Sequence, residues 1–375
     1  MSGSISMIGV TGFAPFGQLV ANAETTHKHL DNLTNQASTG LVANDYAGLG
    51  SGASVSLNLR PQVASLQAWQ NNIDAATGRM SVAQSALTQI QSIASNFYSQ
   101  LNNVQGINAS AVDTIAASAR DALRQVAGLL DTQDGDVYVF AGQDSGNPPV
   151  PDPDNIANAT ANPNGFFATI SAAVSQLGQP GYDASQVAQA TLAASKFTGT
   201  AGPPSPFSDY LSENDPPALP SVQVGQGQTE ITGLSASHNG LISQPGPDNT
   251  NFTTTGSYMR DVLRALATIG SLSSTQVNVA DFPNLVQNTR TSLSGAISAM
   301  AQDAGALGNV QSSLTTTQSR LADTQTAMTS QVSSVEDVDM AATLSQLSLV
   351  QTQMQASYQL IATLNGLSLA KFLPA

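Results

Sequence analysis

The chain has no cysteine. Disulfides, thiol nucleophiles and cysteine-held metals are therefore excluded together. Only three histidines occur, His27, His29 and His238. They show no zinc-type spacing and are too few for a Ser-His-Asp arrangement to be drawn. Charge is scarce as well, at 10% of residues against about 25% in an average soluble chain. Lys and Arg number 11 against 25 Asp and Glu, a formal net charge of −14. Nucleic acid and anionic membrane surfaces want clustered cations, so neither partner is expected. No apolar run reaches the roughly 18 residues of a membrane-spanning helix, and no membrane insertion is expected. The opening MSGSISMIGVTGF lacks the basic region and small-residue cleavage site of a secretory signal. A chain exported without a cleaved signal and a cytosolic chain fit these absences equally.

What is present is periodic. Val286, Leu293, Met300, Leu307, Leu314, Leu321, Met328 and Val335 recur every seven residues, and no proline falls between Asn284 and Leu373. Such a repeat keeps one apolar seam on one side of a slightly under-wound helix, which then needs a partner helix along its length. At 1.5 Å per residue the stretch spans roughly 75 Å. The partner lies near the other end of the chain, where Leu59, Leu66, Ile73, Met80, Leu87, Ala94 and Leu101 form a second series. Trp69, Ala76, Ala83, Ile90, Phe97 and Val104 follow that series three positions later. Pro61 is expected in the first turn of this helix, where a missing N–H costs little. Either stripe alone is compatible with ordinary bundle core, whereas two matched series bracketing the chain favour a long antiparallel coiled-coil rod. Leu66, Trp69, Ile73, Met80, Leu87, Ile90, Phe97, Leu101, Leu293, Met300, Leu307, Leu314, Leu321 and Met328 form its expected core. The outward positions carry Ala, Ser, Thr, Gln and Asn instead of the usual Glu and Lys, surfaces easier to bury against neighbouring subunits.

In chain order, residues 1–13 read as a loose tail. Phe16, Leu19, Ala23, Leu30, Leu33 and Ala37 mark a shorter amphipathic helix, mirrored near the C-terminus by Met340, Leu347, Met354 and Ile361 with Leu344, Tyr358 and Leu364. Apolar stripes of this kind await partners or pack on each other. The glycine-rich connector 38–56 is no phosphate loop, because no strand precedes it and no Gly-Lys-Ser/Thr follows. Gly106 is expected to end the first long helix, and a third helix follows through Val112 and Leu130. Asp134-Gly135 then predicts a hairpin with Val137 to Phe140. Asp131, Asp134 and Asp136 lack the calcium-loop spacing. From Gly142 to about Gly256 prolines concentrate. Short helices at 166–177 and 185–197 and strands at 222–224 and 230–231 suggest a loop-rich α+β insert, in which Asp209, Glu213 and Asp215 read as a solvated acidic loop. Helical spacing resumes at Tyr258. Ser334-Val335-Glu336-Asp337 fits a capping box, so the second long helix should end or kink there.

The expected fold is mainly α, in the order terminal helix, long helix, insert, long helix, terminal helix. Three divisions follow: 1–43 with 338–375 for assembly, 44–142 with 258–337 as a rod carrying the hairpin, and 143–257 as a surface-exposed module. Over about 16–142 and 258–373 these residues resemble the bacterial flagellin family. Ser38-Thr39-Gly40 with Asn44-Asp45 is similar to its N-terminal signature. The stretch 134–142, DGDVYVFAG, Glu336-Asp337-Val338-Asp339 and the tail MQASYQLIATLNGLSLAKFL resemble its hook-filament junction members, the hook-associated protein 3 type, and junction-like short flagellins. Asp45-Tyr46 departs from the paired acids common in the family.

The resemblance implies a non-enzymatic extracellular subunit without cofactor or metal, exported and polymerised at the hook-filament junction and supporting motility. The implied partners are copies of itself, hook-associated protein 1, flagellin, an export chaperone and the flagellar secretion apparatus. Phe16, Leu19, Leu30, Leu33, Leu347, Met354, Tyr358, Ile361 and Leu364 are expected at subunit contacts, intramolecular core being the competing assignment. A filament flagellin is the first alternative. A stalked binding or enzymatic protein acting through 143–256 is the second.

Overall fold

A computed structural model describes residues 14–104, 109–195, 205–213, 216–242 and 248–370, without the side chains of 14–16, 103–104 and 364–370. Helix makes up 68% of the chain. The order is α1 (Ala14–Thr39), α2 (Ala53–Val104), α3 (Ala109–Leu130), β1 (Gln133–Asp134), β2 (Val137–Tyr138), α4 (Phe166–Ser175), α5 (Ala184–Ser195) and α6 (Asp209–Glu213). Then come β3 (Ser221–Gly225), β4 (Gln228–Ile231), α7 (Tyr258–Gly270), α8 (Phe282–Glu336) and α9 (Met340–Ala370). The chain divides into two compact units, 68–321 and the two ends, 1–67 with 322–375. The expected tail 1–13, the helix end at Gly106 and the acid Asp215 lie outside the described residues.

In the unit 68–321, α2 and α8 run antiparallel. Gln318 on α8 donates to Asp74 on α2, and Gln84 Nε2 donates to the Ala304 carbonyl at 3.3 Å. The two seams meet as the seven-residue spacing requires: Ile73, Met80, Leu87, Ile90, Phe97, Leu101, Leu293, Met300, Leu307 and Leu314 are all buried. Trp69 and Leu321 are half-buried. α3 and α7 pack on each other and contribute Leu123, Val126, Leu130, Leu263 and Leu266 to the same core.

The hairpin forms where Asp134-Gly135 places it, with Gln133 paired to Tyr138 and Asp134 to Val137. Gly135 takes φ +62°, a conformation natural to glycine. β3 and β4 form a second hairpin. The segment 143–257 shares the core of the helices: Phe166, Ile170, Val174, Val187, Leu211 and Val222 belong to one continuous cluster with Leu87, Leu123 and Met300. Its attachment is also polar. Asp303 on α8 is fully buried and accepts from Gly240 N at 2.8 Å, Leu241 N at 2.6 Å and the Tyr258 hydroxyl at 2.7 Å. Three donors compensate a carboxylate that would be costly to bury alone.

Two local expectations are corrected. Pro61 sits well inside α2, because the helix starts at Ala53 rather than near Leu59. The carbonyl that its missing N–H abandons belongs to exposed Leu57, where water can serve it. The break between α8 and α9 falls where expected, yet Ser334 does not cap it; its hydroxyl donates back to Gln331 O. Asp339 is the cap, accepting from Ala341 N at 2.9 Å and Ala342 N at 3.0 Å.

Candidate assembly site at the paired terminal helices

In the unit formed by the chain ends, α1 and α9 are antiparallel neighbours. Gly40, at φ +73°, stops α1. Its carbonyl accepts from Val338 N at 3.0 Å, and Leu41 bridges Asp337. α9 buries or half-buries Thr343, Leu347, Val350, Met354, Ser357 and Ile361, spaced by threes and fours as one helical face demands. On α1, Leu33 is buried and Leu19 and Leu30 are half-buried. Six of the nine residues expected at subunit contacts thus pack within the chain. Tyr358 is 52% exposed. The side chains of Phe16 and Leu364 lie outside the described residues.

The outward side of α9 mixes uncharged polar residues with large apolar ones. Leu344, Leu349 and Leu360 are 51%, 58% and 56% exposed, and Val20 of α1 is 44% exposed. Apolar residues are thus found on more than one side of α9 instead of gathering in a single stripe. A search for heptads misses Val20, Leu349 and Leu360 because they fall between the seam positions. The leucines lying between the seam positions of α9 are the available signal.

The same unit holds a charged latch. Glu336, the last residue of α8, is 7% exposed. It takes two bonds from Arg60 of α2, Nε at 2.8 Å and Nη2 at 2.5 Å, and one from the buried Ser56 hydroxyl. Its backbone carbonyl accepts from Val42 N at 2.7 Å. Two segments, α2 and the connector at Val42, therefore converge on the end of α8. The Arg60 and Ser56 bonds hold the Glu336 carboxyl below the usual range. With the folded value depressed, the latch contributes fully above the unfolded pKa and weakens as pH falls through the folded one. The local pattern Ser334-Val335-Glu336-Asp337 points only to a capping box for Glu336's surroundings. The Arg60 partner of Glu336 lies 276 positions away, beyond the reach of local pattern.

The long helices meet in this unit too: Gln325 Nε2 donates to Gln67 Oε1 at 2.8 Å, with Leu66 buried and Met328 half-buried. Among the described residues no group of three His, Cys, Asp or Glu could hold a metal, and no helix is long and apolar enough to cross a membrane.

Residues 16–145 match the family model of the bacterial flagellin N-terminal helical region, and 291–373 match that of the C-terminal helical region. The chain belongs to the bacterial flagellin family. The two matches cover more than half of it and coincide with α1 to α3 and with most of α8 and α9. No curated protein matches this flagellin-family chain. Membership implies a structural, non-enzymatic subunit that self-assembles into an extracellular flagellar filament.

Proposed function

We propose that this chain is the structural subunit of the hook-filament junction, exported without a cleaved signal and polymerised outside the cell through α1 and α9. The observation that carries assembly is the set of large apolar side chains left open on the α1–α9 pair, Leu344, Leu349, Tyr358, Leu360 and Val20, which further partners would cover. Tyr358, Leu344, Leu349, Leu360 and Val20 make the first subunit contacts. Phe16 and Leu364 extend them, and Leu19, Leu30, Leu33, Leu347, Met354 and Ile361 hold the α1–α9 pair that presents them. Head-to-tail repetition with a rotation that does not close yields a helical tube. Residues 1–43 with 338–375 form its assembling part, 44–142 with 258–337 its wall, and 143–257 its outer surface.

The likeness of 134–142 and of the C-terminal tail to junction members favours the junction. There the subunit meets hook-associated protein 1 on one side and flagellin on the other, after passage with an export chaperone through the secretion apparatus, and it supports motility. A filament flagellin is the second reading, favoured by matches to flagellin's own terminal regions. Electron microscopy of a strain lacking the gene tests the choice. Bare hooks, with another flagellin released as monomer into the medium, are expected. Loss of the major protein of sheared filaments would assign the chain to the filament instead.

A further inference from the structure

In the unit 68–321 a cavity of about 370 Å³ opens between α2, the first hairpin and the return from β4. Val137, Val139 and Pro220 supply apolar wall, and Tyr138, Ser145 and Thr232 supply polar groups. Two glycines lie in its wall and pack closely on their neighbours. At Gly142, φ +66°, a Cβ would lie 3.1 Å from Ala218 O, and at Gly233 it would lie 2.6 Å from the Pro220 ring. Arg79 is the charged residue in its lining.

Arg79 differs from the following cations among the described residues. Arg60, Arg124 and Lys28 pair with carboxylates. Arg120, Arg260, Arg264 and Arg290 donate to carbonyl or amide oxygens. Arg79 gives only its Nε, to Ala75 O of its own helix at 3.2 Å, and its terminal nitrogens have no acceptor among the described residues. Those nitrogens form the end of the guanidinium fork that matches a carboxylate.

We propose that this cavity is a contact site between copies, in which a carboxylate-bearing segment of a second copy of the chain docks on the Arg79 guanidinium. This rests on the assembly reading and adds a contact outside the terminal helices. Charge complementarity commits the occupant. Each copy carries 25 acidic residues against 11 basic ones, so packed copies crowd carboxylates together, and an unengaged cation in a concave site is where one of them is stabilised. Val137, Val139 and Pro220 would flank the pair and cover part of it once the second copy is seated.

Zero-length carbodiimide coupling of the Arg79→Lys protein identifies the partner. Filaments are grown from a mixture of ¹⁵N-labelled and unlabelled chains, coupled and digested. Mixed-isotope peptides joining the introduced lysine to an Asp or Glu are expected, absent from the monomer at the same total concentration. Arg79→Glu is expected to raise the critical concentration for assembly about tenfold, the scale of a lost charge-assisted hydrogen bond, with unchanged helical circular dichroism. Coupling of the introduced lysine only within one copy, or an unchanged critical concentration in Arg79→Glu, overturns the proposal. Stabilisation of the unassembled protein by millimolar citrate, without inter-copy coupling, would assign the cavity to a free carboxylate and overturn it too. If the unmodified protein forms no filaments at all, it is the assembly reading that fails.

Discussion

At the scale of single residues, the polar groups that matter are those whose partners are distant in sequence. Glu336 meets Arg60 and Ser56, and Asp303 meets the 240–241 backbone and Tyr258. On α7, burial raises the Asp261 pKa and lowers that of Arg264, its neighbour at 3.6 Å. Asp131, just past α3, is a milder case. Its Oδ1 accepts from Val150 N at 2.8 Å, yet partial burial lifts its pKa to about 6. The raised value means that folding disfavours the charged form. The penalty is absent below the unfolded pKa, grows from about pH 4 to 6 and is complete above that. Asp131→Asn keeps an oxygen for Val150 and removes the charge. It should stabilise the protein by about 1–2 kcal/mol at pH 7, discounted for solvent screening, and by almost nothing at pH 3.5. Urea denaturation at the two pH values checks this. The aspartate is visible in the sequence, but its burial and its bond from Val150, 19 positions on, are set by the fold.

At the scale of elements, the sequence was most legible where a period persists. The seven-residue seams of α2 and α8 predicted two long paired helices, and their residues are buried together in the unit 68–321. The first hairpin was legible from Asp134-Gly135, and the strands of the second from the runs at 222–224 and 230–231, though not their pairing. Pro61 was misplaced because a helix can run through a proline when the abandoned carbonyl reaches water. α9 shows what a stripe search cannot settle. Its heptad residues pack mainly toward α1, while Leu349 and Leu360 stay open. Replacing both by serine should leave the monomer's thermal midpoint nearly unchanged, because exposed substitutions shift stability by about 0.5 kcal/mol or less. Polymerisation should be lost. Leu33→Ala should instead destabilise the monomer itself by about 2–5 kcal/mol. Calorimetry paired with sedimentation separates the two faces; a monomer equally damaged by the serine pair would show that the open side is not free for partners.

At the scale of the whole molecule, scarcity of charge and excess of acid act on assembly in opposite ways. The open apolar faces favour contact, while a net charge of −14 per copy opposes it. Raising salt from about 0.01 M to 0.15 M shortens the screening length from about 30 Å to 8 Å. Assembly followed by light scattering should therefore accelerate with salt, whereas dissolution by salt would mean that ion pairs dominate the contacts. Composition and periodicity alone determined a mainly helical chain with paired long helices and apolar termini, because such patterns are local and repeat. Only the tertiary structure decided which side of α9 is covered, that 143–257 shares the helices' core, and that Glu336 and Asp303 hold distant segments. Those outcomes depend on which surfaces and hydrogen-bond donors the fold brings together, and no spacing along the chain encodes that.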